Sequence, residues 1–398
     1  ERERLMKLFA ENQKAREAVQ KALLLMGKEK MNPPTEEIAV LMEAEPGEKG
    51  KYLLMAGIAV LGIGLLFVLP PLGVAVLFAS MVGNGLMHGR ESKKLESALK
   101  AFGCILRLQR TARELGKEKI SGLEMYQKRL EEQEKQLRPI TRKCRTLVNT
   151  KESQGGAANM IFAYFHTFFL LDLIEYSSVV SGVKSYEKAI LQMAEDLGLL
   201  DFALSAASYR ESLSYYFLDE KKAGCRIDAE ELYHPLLTHP VANSLYAEGG
   251  ILLTGSNASG KSTFMKNMAV NAILAQALNT SLSKRYRGVV CRIMTSMALR
   301  DNLAQGESYF VVEVKSLKRI LEASREKTPL LCVIDEVLRG TNTTERIAAS
   351  ESVLAALRRA NVLCLAATHD TELTYLLEDL YTNYHFEEQI TAQSISFP

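Results

Sequence analysis

Gly255-Ser256-Asn257-Ala258-Ser259-Gly260-Lys261-Ser262-Thr263 is the densest cluster of chemically useful residues in this 398-residue sequence. It fits G-x-x-x-x-G-K-[ST], with a strand read over 249–255 before it and an apolar helix read over 264–277 after it. The glycines let backbone N–H groups curl around phosphate oxygens, and the helix N-terminus adds the positive end of its dipole. Lys261 then reaches the β- and γ-phosphates of ATP, and the Ser262 hydroxyl is placed to hold Mg²⁺. A chance match would lack the flanking strand and helix.

Two further strands end in suitable side chains. Leu330 to Ile334 is an apolar run closed by Asp335-Glu336. A carboxylate at a strand's C-terminal end beside a phosphate loop suits a Mg²⁺ ligand, here Asp335, and Glu336 is then placed to deprotonate the attacking water. Val362 to Ala367 ends in Thr368-His369-Asp370, where His369 would sense the γ-phosphate or polarise the water. Short β-branched runs alternating with helical segments from about residue 249 indicate a mostly parallel α/β sheet.

The chain ahead of this sheet reads as helical. Residues 155–220 are apolar, and residues 90–150 are charged, with 16 Lys+Arg against 8 Asp+Glu, a net +8 against +2 for the whole chain. This basic arm suits either anionic lipid or nucleic-acid phosphate, or is simply a solvated helical face. Residues 1–45 read as one amphipathic helix, a Pro33-Pro34 break and a second short helix. Six cysteines lie scattered without a C-x-x-C pair, which fits a reducing compartment and disfavours a disulfide-stapled domain or a cysteine zinc site. With 47% apolar and 24% charged residues the composition is globular, not disordered.

Tyr52 to Met87 contains no Asp, Glu, Lys or Arg. At this charge content a random run of that length has a probability on the order of 10⁻⁴ to 10⁻⁵. It divides into Leu53–Leu69 and Leu72–Met87 around Pro70-Pro71, each close to the length of a spanning helix. Lys49 and Lys51 on one side, and Arg90, Lys93 and Lys94 on the other, put both ends in the cytoplasm. The reading is a transmembrane hairpin through residues 53–87, in preference to a buried hairpin, which would keep a polar stripe. A second uncharged stretch, Gln154 to Leu171, reads as a buried core helix with His166 as a satisfied core residue. A third span would move the ATP site outside the cell.

The phosphate loop with Asn257, the run Asp335-Glu-Val-Leu-Arg-Gly-Thr-Asn-Thr343 and Ala367-Thr-His-Asp-Thr-Glu-Leu373 resemble the MutS family of DNA mismatch repair ATPases. Met297 to Phe310, His234-Pro235, Asn243 and Leu199 to Ser205 also fit that family. The resemblance covers 226–398 closely and 155–225 more loosely, and does not reach residues 1–90. It implies an ABC-like P-loop ATPase domain that homodimerises so that each site is completed in trans. Ser308, in Gln305-Gly306-Glu307-Ser308, would contact the partner's γ-phosphate, although a helix N-cap explains it equally. Arg339 and Asn342 would lie near the seam.

The expected organisation is therefore an N-terminal amphipathic segment (1–50), the hairpin (51–89), a helical core/lever region (90–225) and the ATPase domain (226–398), with the chain read as a fragment truncated at its C-terminus. Mismatch reading in the family uses an aromatic beside a Glu. Phe9-Ala10-Glu11 is a poor imitation inside a charged helix, and Val241 stands where an adenine-stacking aromatic is usual. The leading function is a membrane-anchored MutS-like ATPase whose nucleotide state controls a DNA clamp through phosphate contacts. The alternatives are a membrane tether using ATP only to dimerise, and an ABC-type transport ATPase. Two spans make a thin pore, and Leu303 to Ser308 lacks the L-S-G-G-Q form.

Overall fold

The structure, a computed structural model, describes residues 1–27, 34–152, 164–218, 224–256, 259–297, 309–338, 342–387, 389–391 and 394–396. It divides the chain into Glu1–Ser208 and Tyr209–Pro398, earlier than the boundary at 225/226 read from the sequence. The reason is local. Arg210 donates to Thr280 Oγ1 and the Leu278 carbonyl, and Phe217 pairs with Ser281, so residues just past 208 fold with the second unit.

In the first unit the opening stretch is two helices instead of one, α1 (Arg2–Glu11) and α2 (Gln13–Leu23). Asn12 between them is extended, and its side chain accepts from the Ala15 amide, a capping bond that competes with helix continuation. Leu5, Phe9, Ala15 and Val19 form the buried face. Phe9 is fully buried in this face. After α3 (Pro34–Glu43) come α4 (Lys49–Val68) and α5 (Pro70–Leu115), two helices long and apolar enough to cross a membrane. Pro70 and Pro71 open α5, where a missing N–H costs nothing. Gly73 allows the close approach, since a Cβ there would sit 2.6 Å from the Leu66 nitrogen. Most other hairpin side chains face outward: Leu61 is 61% exposed, Phe67 86% and Phe78 65%.

No boundary falls at 89/90. Helix α5 runs 46 residues from the apolar stretch into the basic arm, which it shares with α6 (Glu124–Glu152). Buried Glu134 on α6 takes Arg113 and Arg138, and buried Asp196 takes Arg129 and Gln133. Helices α7 (Leu171–Lys184) and α8 (Glu187–Glu211) complete the unit.

Residues 153–163 lie outside the described residues, so the core helix read over 154–171 is visible only from 164. There Leu170 is buried, but Tyr164 and Phe165 are 70% and 52% exposed and His166 is half-buried, so this part is not the enclosed helix expected. Asn84 reaches the Phe168 carbonyl at 2.6 Å and His88 meets buried Asp172 at 2.8 Å, fixing this segment to α5.

The second unit is built on a five-stranded, wholly parallel sheet in the order β5-β6-β7-β3-β8. Its strands are β3 (Gly250–Gly255), β5 (Arg292–Ser296), β6 (Leu330–Asp335), β7 (Val362–Ala367) and β8 (Tyr381–Phe386). Strands β6 and β7 are apolar almost throughout because helices cover both faces. One face carries Leu331, Val333, Leu365 and Leu253 under α9 (Lys261–Leu278). The other carries Cys332, Ile334, Leu252 and Ala366 under α10 (Tyr309–Ser324) and α11 (Thr343–Leu357). Beside it, β1 (Arg226–Leu232), β2 (Asn243–Glu248) and β4 (Arg285–Gly288) form an antiparallel sheet ordered β2-β1-β4 that the sequence reading did not separate. All six cysteines are free thiols.

Candidate functional site

Because β3, β6 and β7 are adjacent and parallel, their C-terminal ends open on one edge of the sheet. The phosphate loop leaves β3, Asp335 ends β6, and Thr368-His369 follows β7. This edge is where ligands bind in open α/β sheets. The register is direct: Asp335 pairs with Ala367, and the Thr368 amide donates to the Leu253 carbonyl.

Gly255 has φ +137°, and a Cβ there would meet the Phe386 carbonyl oxygen at 2.5 Å, so only glycine lets the loop leave β3 beside β8. Gly260 caps α9 in the left-handed conformation. The described loop residues hold one another: Ser259 Oγ donates to the Ser256 carbonyl at 3.0 Å. Lys261 is only 4% exposed, and its Nζ donates to the carbonyls of Gly255 (2.8 Å) and Ser256. A buried ammonium held on backbone carbonyls at a helix N-terminus, with Ser262 half-buried and Thr263 exposed beside it, suits a phosphate chain. Asn257 and Ala258 lie outside the described residues, as do Ser308 and Arg339.

Asp335 is half-buried and makes no ion pair among the described residues, leaving its carboxylate oxygens available as hard donors. The Asp335 carboxylate and the Ser262 hydroxyl are both oxygen donors, the chemistry that Mg²⁺ takes. Glu336 stands at φ +56° and Leu338 at +57°, unfavourable for non-glycine residues. The turn is held from two sides: the Glu336 amide donates to the Ala367 carbonyl, and the Leu338 amide donates to Glu313 Oε1 at 2.6 Å. Glu313, a buried carboxylate on the apolar face of α10, was missed in the sequence, where its one signal is an acid among Phe310, Val311, Val312 and Val314.

His369 Nε2 lies 2.9 Å from Glu336 Oε1, which brings two of the sequence candidates together. Arg346 on α11 grips Asp370 with two hydrogen bonds of 2.8 and 2.6 Å, fixing the turn that carries His369. The Arg346 guanidinium holds the Asp370 carboxyl below the usual carboxylate range. Asn342, expected at a dimer seam, caps α11: its side chain accepts from the Glu345 amide at 3.0 Å.

A cleft of about 440 Å³ continues from the loop, lined among others by His234, His239, Val241, Asn243 and Phe386. Burial, with the Lys266 ammonium adding to it, pushes His234 below its ordinary value and favours the neutral ring. Phe386 packs on Phe264 with ring centroids 5.3 Å apart. Folding brings His239 and Phe386, more than 100 residues apart, into the same cleft as Val241. Buried Asn267 and Asn271 anchor α9 through the carbonyls of Leu232 and Tyr233, and Asn271 Oδ1 accepts from the Leu282 amide. These two also escaped the sequence reading.

Residues 251–398 match the family described as MutS domain V. The DNA mismatch repair protein MutS of Thermotoga sp. (strain RQ2) is 32% identical over 209 residues, 50% of this chain and 26% of its own length. That of Methanosarcina mazei is 29% identical over 237 residues, 56% of this chain and 26% of its own length. MutS protein homolog 4 of Mus musculus is 32% identical over 224 residues, 53% of this chain and 23% of its own length. The chain thus spans about a quarter of the length of the relatives it matches. In sequence, residues 251–398 are similar to domain V of the MutS proteins.

Proposed function

We propose that this chain is a membrane-anchored, MutS-like ATPase whose nucleotide state controls a homodimeric clamp on DNA. The observation that carries the ATPase reading is the phosphate loop, Asp335, Glu336 and His369 at the C-terminal ends of three adjacent parallel strands. The exposed apolar side chains of α4 and the first half of α5 support the anchor. The likeness to MutS proteins supports DNA as the ligand.

In this reading Lys261 turns from the loop carbonyls to the β- and γ-phosphates, while the amides at the start of α9 bind phosphate oxygens. His234, His239 and Phe386 enclose the base. Ser262 and Asp335 would hold Mg²⁺, which when bound neutralises phosphate charge. Glu336 takes the proton of the attacking water, and His369 fixes its carboxylate through the Nε2 contact. Ser308, Arg339 and Asn342 are proposed at the dimer seam, with Asn342 acting there through the helix end it caps.

The test uses the full chain in detergent micelles. Lys261→Ala should abolish ATP binding. Glu336→Gln should keep ATP binding, lose about 10²-fold or more in hydrolysis and accumulate an ATP-bound dimer. Normal hydrolysis by Glu336→Gln removes Glu336 as the base. The wild-type chain failing to bind duplex DNA with or without ATP removes the clamp and leaves a nucleotide-dependent tether.

A further inference from the structure

The net +8 of the basic arm is not spread evenly over its surface. Four of its eight lysines are matched by a carboxylate three or four residues away: Lys94 with Glu91, Lys100 with Glu96, Lys117 with Glu114 and Lys135 with Glu131. The arginines gather instead. A groove of about 550 Å³ between α5 and α6 is lined by Arg107, Arg110, Arg113 and Arg145, with Gly103 and Val148 at one end. Among the described residues, no carboxylate lines it. Glu134, the acid that hydrogen-bonds Arg113, is buried and also committed to Arg138 and Gln109. Arg110 and Arg145 make no ion pair among the described residues, and both are exposed.

We propose that this groove seats the phosphate backbone of nucleic acid. The claim rests on the DNA-handling reading and gives that ligand a location outside residues 251–398. Guanidinium forks match phosphate geometry better than ammonium groups do. From Gly103 to Arg113 the groove follows ten residues of one helix, about 15 Å, long enough for more than one phosphate. Among the described residues no aromatic side chain lines it, so the groove offers bases no stacking platform and the protein reads the backbone.

Lipid phosphate is too far away. Arg107 lies twenty residues beyond Met87 in the same helix, about 30 Å along a rod with no proline after Pro71. That is several times the screening length of about 8 Å at physiological salt.

The experiment measures duplex DNA binding by the full chain in nanodiscs between 50 and 200 mM salt. It compares the wild type with the triple variant Arg107→Gln/Arg110→Gln/Arg145→Gln. A control triple, Lys94→Gln/Lys100→Gln/Lys117→Gln, removes the same charge from the paired lysines. The arginine variant should flatten the slope of log affinity against log salt by about 2.7, or roughly 0.9 for each phosphate no longer neutralised. The lysine variant should change it by less than about 0.5. Equal slopes in the wild type and the arginine variant overturn the groove but leave DNA binding standing. Equal flattening in both variants also overturns it, since diffuse charge would then suffice. No DNA binding by the wild type overturns both. The chain in detergent is assayed in parallel against vesicles containing phosphatidylserine and against inorganic phosphate. Loss of either by the arginine variant with DNA binding intact assigns the groove to that ligand instead.

Discussion

Two uncharged apolar stretches of this chain meet opposite fates. In β6 and β7, Leu330 to Ile334 and Val362 to Ala367 are buried residue by residue between layers of helix. In α4 and the first half of α5 the same residue types point outward around almost the whole helix, with Leu54, Leu61, Phe67 and Phe78 more than half exposed. A strand of six residues finds enough apolar surface inside its own fold. The charge-free runs Leu53–Leu69 and Leu72–Met87 do not, and exposed apolar area on that scale supports the bilayer proposed above as their surroundings. Hydrophobicity therefore specifies burial in both places. In the proposed reading, length and secondary structure decide whether protein or bilayer does the burying.

Charge inserted into each stretch tests this most strongly. Val333→Asp places a carboxylate in the middle of the sheet and should cost roughly 5 kcal/mol, enough to unfold the second unit. Limited proteolysis and loss of ATP binding would report it, and a folded variant would mean that the sheet is less enclosed than described. Leu61→Arg should cost about 3 kcal/mol of membrane insertion and shift protein from carbonate-resistant to soluble fractions. A water-exposed hairpin would tolerate that change without loss of stability.

Acid separates the two stretches further, because Leu53 to Met87 contains no titrating side chain. The Arg346–Asp370 pair does titrate. Asp370 is held below its unfolded value of about 3.9, so its contribution is complete above that pH and is lost as pH falls through the folded value. Arg346→Gln should remove about 1.5 kcal/mol at pH 7 and flatten the acid limb of the second unit, measured by pH-dependent unfolding. An unchanged limb would show that other carboxylates govern it. The smallest effect is expected at Asn84. Asn84→Leu deletes its bond to the Phe168 carbonyl and should cost about 1 kcal/mol in detergent. Its signature is easier proteolysis near residue 164, with ATP hydrolysis unchanged.

The phosphate loop was legible because its pattern encodes a backbone shape, and Asp335 and His369 because each follows an apolar run of strand length. Other features are fixed by partners distant in sequence. Strand β8 is mostly exposed and lacks an apolar run, so only pairing with β3 reveals it. Phe386 joins His239 through that pairing, and Glu313 becomes informative once the turn after β6 is seen to need a holder. The boundary read at 89/90 followed a change in charge. Charge tracks the surrounding solvent, however, and a helix ends only where a cap or breaker ends it. Nothing between Leu72 and Leu115 does so.

That continuity has a mechanical consequence. If the apolar part of α5 spans the bilayer, the helix is a lever pivoted there, with Leu115 about 42 Å beyond Met87. Each degree of tilt then swings the far end by about 0.7 Å, so a 10° change moves it by about 7 Å. Helices tilt to match the thickness of the membrane that holds them. Bilayer thickness would thus set where the far end of α5 stands, a coupling that two separately folded segments joined by a loop would lose.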